Sequence, residues 1–171
     1  MPITRLNHAV LFVRDVKRSV AFYTEVLGFR VLPIAPAGMS AAFLQAPGSI
    51  NDHDLGLFEI GTAAGPSGAG RTTVGLYHLA WEVDTLAELE RLRGVLAEAG
   101  ALHGSSDHGT TKSLYGKDPD GLEFEIAWIV PADKLDDDAR EARKQIGRLD
   151  LSREKERYGA TTVGASGAPA S

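Results

Sequence analysis

Four residues of types that bind metals recur at equivalent positions in two similar halves of the chain. They are His8, Glu59, His78 and Glu125. The segment His-Ala-Val-Leu-Phe-Val from His8 lines up with His-Leu-Ala-Trp-Glu-Val from His78, and each glutamate ends a similar Gly-Leu segment. A twofold repeat places equivalent residues around one pseudo-axis. Two imidazoles and one or two carboxylates converging there would form a divalent metal site with N and O ligands.

The types of residue available restrict the metal. The sequence contains no cysteine, which excludes disulfides, thiolate ligands and a cysteine nucleophile. A metal held by His and carboxylate groups would be Fe(II), Mn, Ni, Co or Zn. Glu123 competes with Glu125 for the carboxylate position, because alternate side chains of a strand share one face. The repeat alignment favours Glu125 and leaves Glu123 as a solvated neighbour.

Each half contains the elements needed to position these residues, namely a strand, a helix and three further strands. The predicted strands cover about 6–13, 29–34, 40–45, 55–60, 77–83, 101–105, 111–116 and 122–129. The halves, about residues 3–62 and 74–130, are offset by about 70 residues and joined by a small-residue linker over 61–71. These elements predict an α+β fold. Since neither half buries its sheet alone, the two βαβββ modules should pair and form an open eight-stranded, barrel-like cup in one domain over 1–131.

Apolar spacing and capping residues indicate the two helices. Asp15 is the expected N-cap of a helix over about 16–27, whose apolar residues recur on one face. Gly28 follows as the expected C-terminal glycine. The second helix, over about 85–99, carries a leucine stripe and ends at Gly100.

Composition and charge exclude several classes of protein. The 171 residues have a net charge of −5, and 43% are hydrophobic, as in an ordinary soluble protein. The negative charge argues against nucleic acid or an anionic membrane as the main partner. The sequence has no run of about 18 apolar residues that could cross a bilayer, and its N-terminus lacks the profile of a signal peptide. We therefore expect a cytoplasmic protein.

The composition changes from residue 132 onward. Residues 133–157 are rich in charged and poor in apolar side chains, which predicts a charged helical tail over 132–171. This tail would lie over the protein's own surface or over a partner chain. The small and polar residues from Gly159 to Ser171 predict a disordered end. The edge strands of an open barrel need cover, which favours a homodimer or a higher homo-oligomer.

Two further segments resemble the vicinal oxygen chelate superfamily. Phe-Tyr-Thr-Glu-Val-Leu-Gly-Phe over 22–29 resembles the end of its first helix, and Asp-Pro-Asp-Gly over 118–121 resembles its last turn. The resemblance covers about residues 3–130. The superfamily includes glyoxalase I, bleomycin-resistance proteins and extradiol catechol dioxygenases, and its fold alone does not choose the reaction.

Three residues lie in segments that resemble functional segments of single-domain type I extradiol dioxygenases. His53 lies in His-Asp-Leu-Gly-Leu-Phe-Glu, similar to the segment that carries their acid–base histidine. His108 and Tyr115 lie in Asp-His-Gly-Thr-Thr-Lys-Ser-Leu-Tyr, which resembles the segment whose His and Tyr bond the catecholate and oxygen. His103 belongs to neither motif, and we expect it at the surface.

The resemblance implies an extradiol ring-cleaving dioxygenase that acts on a catechol-type aromatic diol with Fe(II) and O2. Its metal ligands would be His8, His78 and Glu125, and the three residues of the extradiol segments would be catalytic. A glyoxalase I-like metal-dependent lyase or isomerase is the alternative, with Glu59 as a fourth ligand. A non-catalytic small-molecule-binding resistance protein is a third option, which the presence of the metal-binding residues disfavours.

Overall fold

The computed structural model describes residues 2–70 and 72–165, and these form two compact units. The first unit comprises residues 2–67 and 118–121, and the second comprises the described residues of 68–117 and 122–165. Each unit contains one four-stranded sheet with both parallel and antiparallel pairs. The predicted α+β class is confirmed. Each unit contains most of one predicted module, but residues 118–121, predicted in the second module, fall in the first unit.

The first unit follows the predicted order of a strand, a helix and three strands. Its elements are β1 (Ala9–Val13), α1 (Val16–Glu25), β2 (Arg30–Leu32), β3 (Ala41–Gln45) and β4 (Leu55–Glu59). The sheet order is β1-β4-β3-β2, with β1 parallel to β4. The helix begins where predicted because Asp15 Oδ1 accepts a hydrogen bond from Arg18 N at 3.0 Å. The first strand is shorter than predicted, so His8 lies immediately before it.

The second unit repeats this topology. Its elements are β5 (His78–Glu82), α2 (Leu86–Glu98), β6 (Leu102–Asp107), β7 (Thr111–Lys117) and β8 (Glu123–Ile129). The sheet order β5-β8-β7-β6 matches that of the first unit, and β5 is parallel to β8. The leucine stripe of α2 is buried. One face of the sheet is therefore covered, and polar side chains occupy the other.

The C-terminal tail belongs to the second unit. It contains a 3₁₀ turn (Ala132–Lys134) and the helices α3 (Asp137–Ala142) and α4 (Leu151–Tyr158). The disordered end expected from Gly159 is not found in the described residues that follow α4. Their backbone is hydrogen-bonded instead: Ala160 O accepts from Ala87 N at 2.9 Å, and Ala165 N donates to Ile129 O at 3.0 Å. Residues 166–171, included in that expectation, lie outside the described residues.

Within residues 2–70 and 72–165, no helix has the length and apolar character needed to cross a bilayer. The longest helix, α2, has 13 residues, whereas about 20 predominantly apolar residues are needed to span the hydrocarbon core.

Candidate metal centre

A histidine and a glutamate of the second unit meet on the polar face of its sheet. His78 is the first residue of β5, and Glu125 lies in the middle of the adjacent parallel strand β8, opposite Ala80. Nε2 of His78 lies 3.1 Å from Oε2 of Glu125, and both side chains are mostly buried. Two of the four predicted metal-binding residues are therefore in direct contact within this unit.

Ser113 fixes the other oxygen of this glutamate. Ser113 lies on the neighbouring strand β7, and its hydroxyl donates a short hydrogen bond to Glu125 Oε1. This leaves Oε2 directed at His78. Sequence reasoning missed this serine. The only signal for it is its spacing of two from Tyr115, which places both on one face of β7.

The geometry of this pair fits a divalent metal. Two donor atoms bound side by side to one metal at about 2.1 Å each lie about 3 Å apart, and the observed separation is 3.1 Å. Imidazole nitrogen and carboxylate oxygen suit Fe(II), Mn, Ni, Co or Zn. Within residues 2–70 and 72–165, however, no group of three or more His, Cys, Asp or Glu side chains could hold a metal ion.

A polar triangle lies beside this pair. Nε2 of His108 is 2.8 Å from the Tyr115 hydroxyl and 2.8 Å from Oγ of Ser106, and the two hydroxyls are 3.0 Å apart. Tyr115 pairs with Glu125 across β7 and β8, and its ring centroid is 6.1 Å from that of His78. The structure thus brings the predicted His108 and Tyr115 together. It adds Ser106, which sequence reasoning missed.

Two further histidines cluster in the first unit. The rings of His8 and His53 are 4.3 Å apart between centroids, and the edge of Phe43 meets the His53 ring at 5.0 Å. Nδ1 of His8 lies 2.8 Å from the Asn7 side-chain oxygen, and Nδ1 of His53 lies 3.0 Å from the Asp52 carboxylate. In the tautomers that donate Nδ1–H to these oxygens, each ring presents Nε2 as an acceptor. Metal ligands and general bases are usually oriented in this way.

The remaining carboxylates and the fifth histidine have separate environments. Glu59 Oε2 accepts a hydrogen bond from Val16 N at 3.0 Å, so it satisfies a free N–H at the first turn of α1. Glu123 lies opposite His78 in the pairing of β5 with β8, and its Oε1 lies 3.5 Å from Lys117 Nζ. His103 is exposed on β6, as expected.

Comparisons with known proteins agree with this architecture. Residues 5–126 match the sequence model of the Glyoxalase/Bleomycin resistance protein/Dioxygenase superfamily. A Bacillus subtilis catechol-2,3-dioxygenase is 33% identical over 126 residues, which is 72% of this chain but only 41% of that relative. The lactoylglutathione lyase of Escherichia coli O157:H7 is 33% identical over 138 residues, covering 71% of this chain and 90% of the relative.

A solved structure shows the same architecture. It is a glyoxylase/bleomycin resistance protein/dioxygenase domain from Frankia sp. EAN1pec, which superposes with a TM-score of 0.62 at 27% identity. The match covers 74% of this chain and 92% of the Frankia chain. The similarity therefore extends over nearly the whole of the solved domain.

Proposed function

Because the chain belongs to the glyoxalase/bleomycin resistance protein/dioxygenase superfamily, whose members are mostly metal-dependent enzymes, we propose that it is an extradiol dioxygenase acting on a catechol. In this reaction the ring C–C bond beside the two hydroxyls breaks, and both atoms of O2 enter the product. A yellow semialdehyde or keto acid results. The substrates would be an aromatic diol and O2.

One observation carries the proposal. The triangle of His108, Tyr115 and Ser106 stands beside the His78–Glu125 contact on one sheet face. Such a group supplies several hydrogen-bond donors next to a metal centre, and a reaction that develops charge on oxygen atoms needs them. The relative named as a catechol dioxygenase supports this choice.

The proposed metal ligands are His78, Glu125 and His8, although the described residues do not bring three such side chains together in this structure. The first two are in contact, and the third has the oriented ring expected of a ligand, because Nδ1 is engaged by Asn7. When bound, Fe(II) would supply Lewis acidity that favours ionisation of the diol, together with a redox couple that can react with O2. Mn, Ni, Co or Zn suit the same donor atoms.

The chain's own residues would handle protons and developing charge. His53 accepts a proton from a substrate hydroxyl at Nε2, since Asp52 holds Nδ1, and later returns it to the product. Tyr115 and His108 donate hydrogen bonds to substrate oxygens as negative charge develops on them. The ring of Phe43 beside His53 offers an apolar surface to an aromatic substrate.

A lactoylglutathione lyase-like activity is the second candidate. The observation that favours it is the relative of that name, of which the chain covers 90%. A fourth carboxylate ligand from Glu59 would require that side chain to leave Val16 N, to which it is bonded at 3.0 Å. This existing contact weighs against the second candidate and in favour of the dioxygenase.

Oxygen uptake separates the two activities. The full chain is loaded with Fe(II) under nitrogen, and a panel of catechols is then added with air while O2 and yellow product are followed. We expect equimolar consumption of O2 and catechol, and no turnover by the same chain loaded with Zn. In a parallel assay under nitrogen, the Ni- or Zn-loaded chain receives the hemithioacetal of glutathione and methylglyoxal. Isomerisation of this compound without any catechol cleavage would reject the dioxygenase and favour the lyase.

A further inference from the structure

A lysine is fully buried in the second unit, on the face of β7 opposite Tyr115. The side chain of Lys112 is 1% exposed, and its Nζ lies 2.6 Å from Asp107 Oδ1 and 2.9 Å from Glu154 Oε2. The ring of Tyr158 lies 5.5 Å from the same nitrogen. A buried charge requires such partners, because removing an ion from water costs several kcal/mol. Glu154 and Tyr158 both come from α4 of the tail.

The first of these carboxylates also holds the turn that carries His108. Asp107 is the last residue of β6, and its Oδ1 accepts a hydrogen bond from Gly109 N at 2.8 Å as well as from Lys112. His108 lies between Asp107 and Gly109, and its own N–H donates to Thr111 O at 2.9 Å. One oxygen atom therefore connects the buried lysine to the backbone on the far side of His108.

The tail contacts the same turn through its backbone. Asp107 and Gly147 exchange hydrogen bonds of 2.9 and 2.8 Å between their N–H and C=O groups. Gly109, with φ +73°, packs so closely on α3 that an added Cβ would lie 2.6 Å from Arg143 N. The turn is thus braced by α3, by residue 147 and, through the buried ions, by α4.

From these contacts we infer that the C-terminal tail is a positioning device for His108, with Glu154, Lys112 and Asp107 as the positioning residues. The inference rests on the proposed function in so far as His108 is a hydrogen-bond donor to substrate oxygen. It assigns a role to a tail that lies outside residues 5–126, the part matched by the superfamily. In the described residues, the His108 ring is hydrogen-bonded only to Tyr115 and Ser106. The backbone turn therefore determines the position from which the His108 side chain extends.

The first test reads the position of His108 without any assay of activity. Glu154→Gln removes the charge of the buried carboxylate, and Glu156→Gln makes the same change at an exposed position of α4. The full chain, labelled with ¹⁵N-histidine and supplied with diamagnetic Zn(II), is compared by NMR. We expect the ring-nitrogen signals of His108 to shift in Glu154→Gln alone, while those of the exposed His103 stay unchanged. Unchanged His108 signals in Glu154→Gln would overturn the inference.

A second variant separates the ion pair from simple packing. Lys112→Met combined with Glu154→Leu replaces the buried ions by apolar side chains, a change that folded proteins often tolerate. This double substitution should keep α4 docked but removes the link from Lys112 to Asp107. Shifted His108 signals in this folded variant support the positioning role. Parent-like signals would mean that docking of the tail suffices, and would contradict the role of the ion pair.

Kinetics then tests whether the position matters for turnover. A misplaced donor weakens transition-state stabilisation more than substrate binding, so Glu154→Gln should lower kcat about 10-fold at unchanged KM. In a His108→Ala background the same change should have no further effect, whereas a general structural defect would lower kcat equally in both backgrounds and overturn the inference. If the parent chain does not turn over catechols, only the proposed function is contradicted. The NMR comparison tests the positioning role without any assay of activity.

Discussion

At the residue scale, the contact between His78 and Glu125 predicts that substitution of either residue will lower the metal content. His78→Ala removes one donor of the 3.1 Å pair, and Glu125→Gln removes the negative charge of the other, so each should lose most of the bound metal and the activity. The matched controls are His103→Ala, an exposed histidine of β6, and Glu123→Gln on the same strand as Glu125. Metal content is measured by plasma emission after gel filtration. Full metal retention in His78→Ala would exclude that ligand.

His53 has a different expected signature, because it is proposed to move a proton and not to bind metal. His53→Gln keeps a polar side chain next to Asp52 but cannot take up and return a proton. We expect parent-like metal content and catechol binding, with turnover lower by about 10²–10⁴-fold. Stopped-flow binding and steady-state turnover check the two effects separately. Parent-like turnover would leave His53 as a residue of the loop before β4 without a catalytic role.

At the scale of elements, α1 is anchored to the segment 118–121 by a buried tyrosine. Tyr23 is 2% exposed and donates a hydrogen bond to Asp118 Oδ2 at 3.3 Å. Burial, and then the negative charge of Asp118, raise the pKa of the Tyr23 hydroxyl well above its usual value. The folded protein therefore retains this proton at a pH where the unfolded chain, with a pKa of about 10, has lost it.

The raised pKa of Tyr23 predicts how the free energy of unfolding changes at alkaline pH. The contribution of Tyr23 is fully present below about pH 10 and is lost as the pH rises toward its folded pKa, because the unfolded chain then binds fewer protons. Tyr23→Phe should destabilise by about 1 kcal/mol near neutral pH, and the difference from the parent should shrink above pH 10. Urea unfolding at several pH values measures it, with the exposed Tyr77→Phe as control. A difference that grows above pH 10 would contradict the assignment.

At the scale of the whole molecule, the edge strand of the first sheet bears on assembly. β1 is the terminal strand in the order β1-β4-β3-β2, and its Phe12 is 72% exposed. An uncovered edge with apolar side chains favours association. We expect a homodimer or a higher homo-oligomer, measured by light scattering coupled to gel filtration. A strictly monomeric species at micromolar concentration would contradict this prediction.

The sequence by itself determined the elements and the repeat, because their signals are local. The cap at Asp15 needs only the amide of Arg18 three residues away, and the leucine stripe of α2 follows from helical spacing alone. The choice of Glu125 over Glu123 also came from the sequence, by alignment of the halves. In the structure Glu125 contacts His78, and its role as a ligand stays a prediction.

Only the tertiary structure decided the partners of polar groups that are distant in sequence. Glu59, a candidate fourth ligand by alignment, is bonded to Val16 N, because parallel pairing of β1 with β4 brings the end of β4 beside the start of α1. The buried ion pair of Lys112 with Glu154 of the tail is a second contact of this kind. Neither contact leaves a periodic signal in the sequence, since each joins residues that become neighbours only when strands and helices pack.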